Sequence, residues 1–184
     1  MDIQSTLRDI AGILNQIGVR SLLIGGIAVN YHGYTRATLD IDFLLATDDL
    51  EVIRDKLIQA GYTNVSLLEN VAFFQRPGNP VRVDFVQTDR QTIDTLLSRS
   101  SLTSAYGTAL AMPSLEDLLA MKLFSLRHGS PERRERDMSD IVHLCIVNDI
   151  RSGETLKPLC ERYADNEIYG LITARITEAG GGAK

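Results

Sequence analysis

No run of this sequence approaches the roughly 20 consecutive apolar residues that a bilayer-spanning helix needs, and its opening MDIQSTLRD carries acids where a secretory leader needs a basic start. The expected location is the cytoplasm, without membrane attachment. Cysteine is scarce: Cys145 and Cys160 are the two in 184 residues, with no CxxC or Cys/His spacing, so neither a disulfide framework nor a zinc site is indicated and both are expected to be packing residues. Positive charge is not in excess, since 19 Lys+Arg against 24 Asp+Glu leave a net charge of −5, the opposite of a general nucleic-acid binder. The local exception is the segment holding Arg127, His128, Arg133, Arg134 and Arg136, a pattern more common on solvated helix faces. No internal repeat is visible. With 44% hydrophobic and 23% charged residues, the composition is that of a folding globular chain with room for one core and an attachment.

Apolar residues at helical spacing from Leu7 to Ile17, closed by Gly18, predict a first helix. Ser21 to Ile24 then reads as a short strand stopped by Gly25-Gly26, with a short helix following as far as Gly33. Leu39 to Ala46 predicts a second strand, followed by a helix capped by Asp48 or Asp49 and closed at Gly61. Ala72 to Gln75 and Val81 to Gln87, separated by PGNP, predict an antiparallel hairpin and hence a mixed sheet. From Ser114 onward the pattern is helical, with helices near 114–127, 132–148 and 153–165. The expected organisation is therefore an α/β (α+β) domain over residues 1–112 with a mixed sheet flanked by helices, a helical bundle over 113–179, and a disordered tail over 180–184.

The second strand carries two acids among apolar neighbours. Residues two apart on a strand share a face, so Asp40 and Asp42 point one way while Ile41 and Phe43 point the other. Asp84, between Val83 and Phe85, has the same setting and completes a trio if the two strands are neighbours. Two carboxylates about 7 Å apart repel by about 2 kcal/mol at an effective dielectric of about 20, whereas apolar residues there would contribute about 1.5–3 kcal/mol each. A divalent cation turns that repulsion into attraction. Clustered carboxylates suit Mg²⁺ or Mn²⁺, which take their remaining ligands from water and substrate phosphates. An EF-hand is rejected: Asp40, Asp42 and Glu51 fall at its positions 1, 3 and 12, but Leu44 and Leu45 stand where a ligand oxygen and a glycine are required.

Taken together, LIGG at 23–26, DIDF at 40–43 and VDF at 83–85 resemble the signature of the polymerase-β-like nucleotidyltransferase superfamily. The longer string GGIAVNYHGYTRATLDIDFLLA, with PSLEDLLAMK and RDMSDI, is similar to the branch that contains the AbiE-type toxins of bacterial toxin–antitoxin systems, over about residues 20–145. The resemblance implies a nucleotidyltransferase fold. It also implies that Gly25 and Gly26 receive the nucleotide phosphates at a helix N-terminus, with Arg36 as a basic residue ahead of the acidic pair. By the same resemblance Lys122, Asp137 and Asp140 belong to the nucleotide site, although Lys122 also reads as a surface residue and Asp137 as a helical partner of Arg133 or Arg134. The implied reaction moves a nucleoside monophosphate from a nucleoside triphosphate such as ATP to a hydroxyl. Asp40, Asp42 and Asp84 would be both catalytic and metal-binding, and Asp84 would help deprotonate the acceptor. That acceptor is a tRNA or other RNA end, a protein, or a small molecule, and an antitoxin is an expected partner. Gly26 stands where the superfamily often has serine, which leaves the acceptor class open. The alternatives are a non-catalytic nucleotide-binding regulatory partner with the same fold and a plain αβ interaction domain.

Overall fold

In a computed structural model, which describes residues 2–105, 107–150 and 153–180, the N-terminal apolar spacing becomes helix α1 (Ile3–Gln16). Asp2 caps it by accepting from the Ser5 amide at 2.8 Å, and Gly18 leaves it at φ +69°. Leu7, Ile10 and Leu14 are its buried face. Strand β1 (Ser21–Ile24) runs into α2 (Gly25–Tyr31), and β2 (Asp40–Ala46) leads through a short 3₁₀ turn to α3 (Leu50–Gln59). Strands β3 (Asn64–Leu67), β4 (Val71–Gln75) and β5 (Arg82–Thr88), helix α4 (Arg90–Ser98) and strands β6 (Ser101–Ala105) and β7 (Thr108–Met112) follow.

The seven strands form one sheet in the order β3-β4-β5-β2-β1-β7-β6. It is mixed, as expected: β2 pairs with β5 and β1 with β7 in parallel, and the other ladders are antiparallel, including the β4–β5 hairpin. Alternation sends Ile41, Phe43, Ala72, Phe74, Val83 and Phe85 to one face, where all six are fully buried. Phe43 stacks on Phe85 at 5.7 Å between ring centroids, and Phe74 meets Phe85 edge-on. Burial of this kind contributes about 1.5–3 kcal/mol per large side chain. It anchors β2 and β5 and fixes which way their polar neighbours point.

Two local readings change. Asp49 does not cap α3; both of its oxygens accept the Arg90 guanidinium, at 2.7 and 2.8 Å, and an ion pair of that geometry competes successfully with capping. Helix α4, capped by Asp89 through the Thr92 amide, and the β6–β7 hairpin occupy a stretch whose sequence pattern predicts no element.

The chain divides into two compact units, residues 1–28 with 36–114 and residues 29–35 with 115–184. The second contains α5 (Leu115–His128), α6 (Pro131–Val147), α7 (Leu156–Tyr163) and α8 (Asn166–Gly180), so the helix expected over 153–165 is shorter and a further one follows it. Within this unit Asn148 donates to the His32 carbonyl at 2.9 Å, and the Tyr34 ring stacks on His143 at 4.2 Å. Cys145 and Cys160 are buried, which pushes their thiols up to about 12 and about 11 respectively. Of the tail expected to be disordered, Gly180 closes α8, and 181–184 lie outside the described residues.

Candidate metal and nucleotide site

The parallel register of β2 and β5 places Asp42 directly opposite Asp84, and Asp40 opposite Arg82. Because partners in register share a face, the three carboxylates meet: one oxygen from each of Asp40, Asp42 and Asp84 lies within 4.8 Å of the others. Asp84 is 1% exposed, and the other two are half-buried. At that spacing and an effective dielectric of about 20, each pair of charges repels by about 3 kcal/mol, more strongly than the spacing along one strand implies.

Gly25 sits beside this group at φ +64°, a left-handed conformation that side chains disfavour. A Cβ there would overlap the Asp42 carboxylate. A Cβ on Gly26 would lie 2.6 Å from Thr38 Oγ1 and 3.1 Å from Arg36 Nη1, so both glycines allow close approach of the residues around them. Arg36, which also donates to the Ala37 carbonyl at 3.1 Å, is thus beside the glycine turn. The turn, Arg36 and the acidic trio stand together in the first unit.

Two residues around the trio are not anticipated by the sequence pattern. Thr38 donates from Oγ1 to Asp40 Oδ1 at 2.9 Å, which fixes the orientation of that carboxylate. Arg82 donates from Nε and Nη2 to the two oxygens of Asp84, at 2.6 and 2.7 Å, and its Nη2 lies 3.6 Å from Asp40 Oδ2. Arg82 stands two residues before Asp84 on β5, so strand parity was the available signal for it, whereas Thr38 lies ahead of β2. Replacing Thr38 with valine removes one hydrogen bond of about 1 kcal/mol and keeps the shape. Thr38→Val should lower the unfolding free energy by about 1 kcal/mol in urea titration, and Thr38→Ser should stay near wild type.

The remaining predicted residues meet in the second unit. Lys122 Nζ lies 2.7 Å from Asp137 Oδ1 and 2.7 Å from Asp140 Oδ2, and Ser125 donates to Asp137 Oδ2 at 2.7 Å. Helical spacing aligns Lys122 with Ser125 on α5 and Asp137 with Asp140 on α6. Asp140 is fully buried, Asp137 is 4% exposed, and the Lys122 side chain is 11% exposed, so neither a surface lysine nor an Arg133–Asp137 pair describes them. Removing the ammonium would take the ion-pair partner from two buried carboxylates. Lys122→Met is therefore expected to lower unfolding free energy by about 3–5 kcal/mol in urea titration.

A mixed sheet that gathers three carboxylates beside a glycine turn is the arrangement of a nucleotidyltransferase fold, and solved structures agree. ANT(2″)-Ia in complex with adenylyl-2″-tobramycin superposes with a TM-score of 0.65 at 13% identity, covering 87% of this chain and 95% of that one. The lincosamide antibiotic adenylyltransferase LnuA, lincomycin-bound, gives 0.56 at 17% identity over 78% and 96%. An antigenic nucleotidyltransferase-like protein from Paracoccidioides brasiliensis gives 0.57 at 17% identity over 97% and 88%. At these identities the likeness carries the fold alone. No curated protein matches the chain by sequence.

The sequence itself is more specific. Residues 15–176 match the family described as nucleotidyl transferase AbiEii toxin, Type IV TA system, and the chain belongs to that family. It is thus a nucleotidyltransferase of a toxin–antitoxin family. Among the described residues, no helix is long and apolar enough to cross a membrane.

Proposed function

We propose that the protein transfers a nucleoside monophosphate from a nucleoside triphosphate to a hydroxyl acceptor in a reaction that depends on Mg²⁺ or Mn²⁺, by attack at the α-phosphorus with release of pyrophosphate. The observation that carries this reading is the meeting of Asp40, Asp42 and Asp84 within 4.8 Å on two adjacent strands. An all-carboxylate donor set fits a hard divalent cation, which turns the mutual repulsion of the trio into attraction. When bound, such an ion offsets phosphate charge and polarises the acceptor hydroxyl.

The chain's own groups supply the rest. Gly25 and Gly26 offer backbone N–H groups to phosphate oxygens, at a turn where a Cβ at either position would collide with Asp42, Thr38 or Arg36. Arg36, beside the turn, offers a planar fork to a phosphate. Thr38 holds Asp40 in orientation, and Asp84 receives the acceptor proton. By the family resemblance Lys122, with Asp137 and Asp140, is a further candidate for nucleotide binding. The acceptor is a tRNA or other RNA end, a protein hydroxyl or a small molecule, and the family context points to a cognate antitoxin and to action in the cytoplasm.

Incubating the protein with each α-labelled triphosphate, Mg²⁺, Mn²⁺ or EDTA, and separate RNA, protein and small-molecule fractions tests this. Label should enter one fraction, with pyrophosphate released and EDTA abolishing both. Binding of triphosphate with no turnover in any fraction would instead favour a non-catalytic regulatory partner.

A further inference from the structure

We propose that Arg82 is a built-in counter-cation of the acidic trio, which holds Asp84 through both of its oxygens and competes with the divalent ion for it. This inference rests on the metal-dependent reading above.

Strand alternation puts Arg82 on the same face as Asp84, and the β2–β5 register puts it opposite Asp40. Its Nε and Nη2 donate to the two Asp84 oxygens at 2.6 and 2.7 Å, while Nη2 lies 3.6 Å from Asp40 Oδ2. The guanidinium lies over the Phe73 ring, 4.6 Å from its centroid; Phe73 stands opposite Asp84 on β4. Asp84 is 1% exposed, so water cannot compensate its charge, and the fork does so instead. Three carboxylates and one guanidinium leave a net charge of −2, the complement of one divalent ion.

A cation that takes a lone pair of Asp84 draws it from the fork and repels the guanidinium. The Arg82 side chain is 43% exposed, so it has solvent into which to turn. Arg82 therefore stabilises the metal-free protein and weakens the site for metal. It is a positioning residue that acts through Asp84.

Calorimetric titration of the purified protein with Mn²⁺ tests this without any turnover. Arg82→Gln should bind Mn²⁺ about tenfold more tightly than wild type, a factor equal to about 1.4 kcal/mol, and should melt at a lower temperature without metal. Arg82→Lys, which keeps the charge but loses the fork, should fall between the two. A purely structural clamp would lower the melt and leave Mn²⁺ affinity equal or weaker, which overturns the proposal. Should Arg82→Gln fail to fold, Phe73→Ala removes the ring beneath the guanidinium and touches no carboxylate. It should tighten Mn²⁺ binding about two- to fivefold by freeing a cation–π contact, and no change would overturn the idea equally. If wild type binds Mn²⁺, Asp42→Ala abolishes that binding and Arg82→Gln leaves it unchanged, this inference alone fails. If wild type and Arg82→Gln both fail to bind Mn²⁺, it falls together with the metal-dependent reading.

Discussion

Asp42→Ala is expected to abolish pyrophosphate release, by a factor of about 10³ or more, while leaving the fold intact. The two effects separate because the residue stands on the polar face of β2. The core face, with Ile41 and Phe43 fully buried, is untouched by the change. Removing one of three mutually repelling carboxylates lowers the electrostatic strain of the metal-free protein, so its melting temperature should hold or rise. In the proposed metal-dependent reaction, the activity loss follows from taking a ligand away from a cation that would contribute several kcal/mol to the transition state, each 1.36 kcal/mol being a factor of ten in rate. Circular dichroism, a thermal melt and a pyrophosphate assay read the three quantities. Full metal-dependent turnover in this variant would refute the site.

Gly25→Ala should be nearly as damaging to activity and, unlike Asp42→Ala, should also destabilise. A left-handed residue with a Cβ costs about 1–2 kcal/mol by itself. Here the added methyl also meets the Asp42 carboxylate, which cannot stay in place. A double-mutant cycle isolates this steric clash from the backbone cost. Asp42→Ala should stabilise the Gly25→Ala background by more than it stabilises the wild type, because the overlapping carboxylate has gone. Equal effects in the two backgrounds would mean that the glycine serves backbone conformation only. Gly26→Ala should be milder, since its nearest obstacle is the Thr38 side chain, and Gly26 has no positive φ to maintain.

What the sequence made legible is the part governed by short periods. Alternation alone placed Asp40 and Asp42 on one face, and the symmetry of VDF with DIDF pointed to Asp84 on a neighbouring strand; the register Asp42 to Asp84 is the outcome. Helical spacing likewise located α1, α5 and α6 to within a residue or two. Arg82 obeys the same parity as Asp84 but does not stand out, because an arginine two residues from an acid reads as an ordinary surface pair until the acid proves to be buried. Thr38 is hidden for a related reason: a hydroxyl has no periodic signature, and its role exists only through one hydrogen bond. The stretch SLTSAYGTALAM offers small and hydroxylated residues with little apolar contrast, so β6 and β7 are defined by pairing with each other and with β1 rather than by their own pattern. Lys122 shows its spacing in the sequence but not its burial, which accompanies its ion pairs to Asp137 and Asp140 on the following helix, α6.

The seven residues 29–35 carry a consequence for anyone dividing this chain. They belong with the helices of the second unit, where Tyr34 lies against His143 and the His32 carbonyl accepts a hydrogen bond from Asn148. Cutting after Ser114 therefore does not yield two self-sufficient halves. The front piece would keep an insert whose aromatic and hydrogen-bonding companions had been discarded, and the rear piece would expose the surface that insert normally covers. Expressed apart, the fragments should be poorly soluble; mixed, they should recover by reassociation.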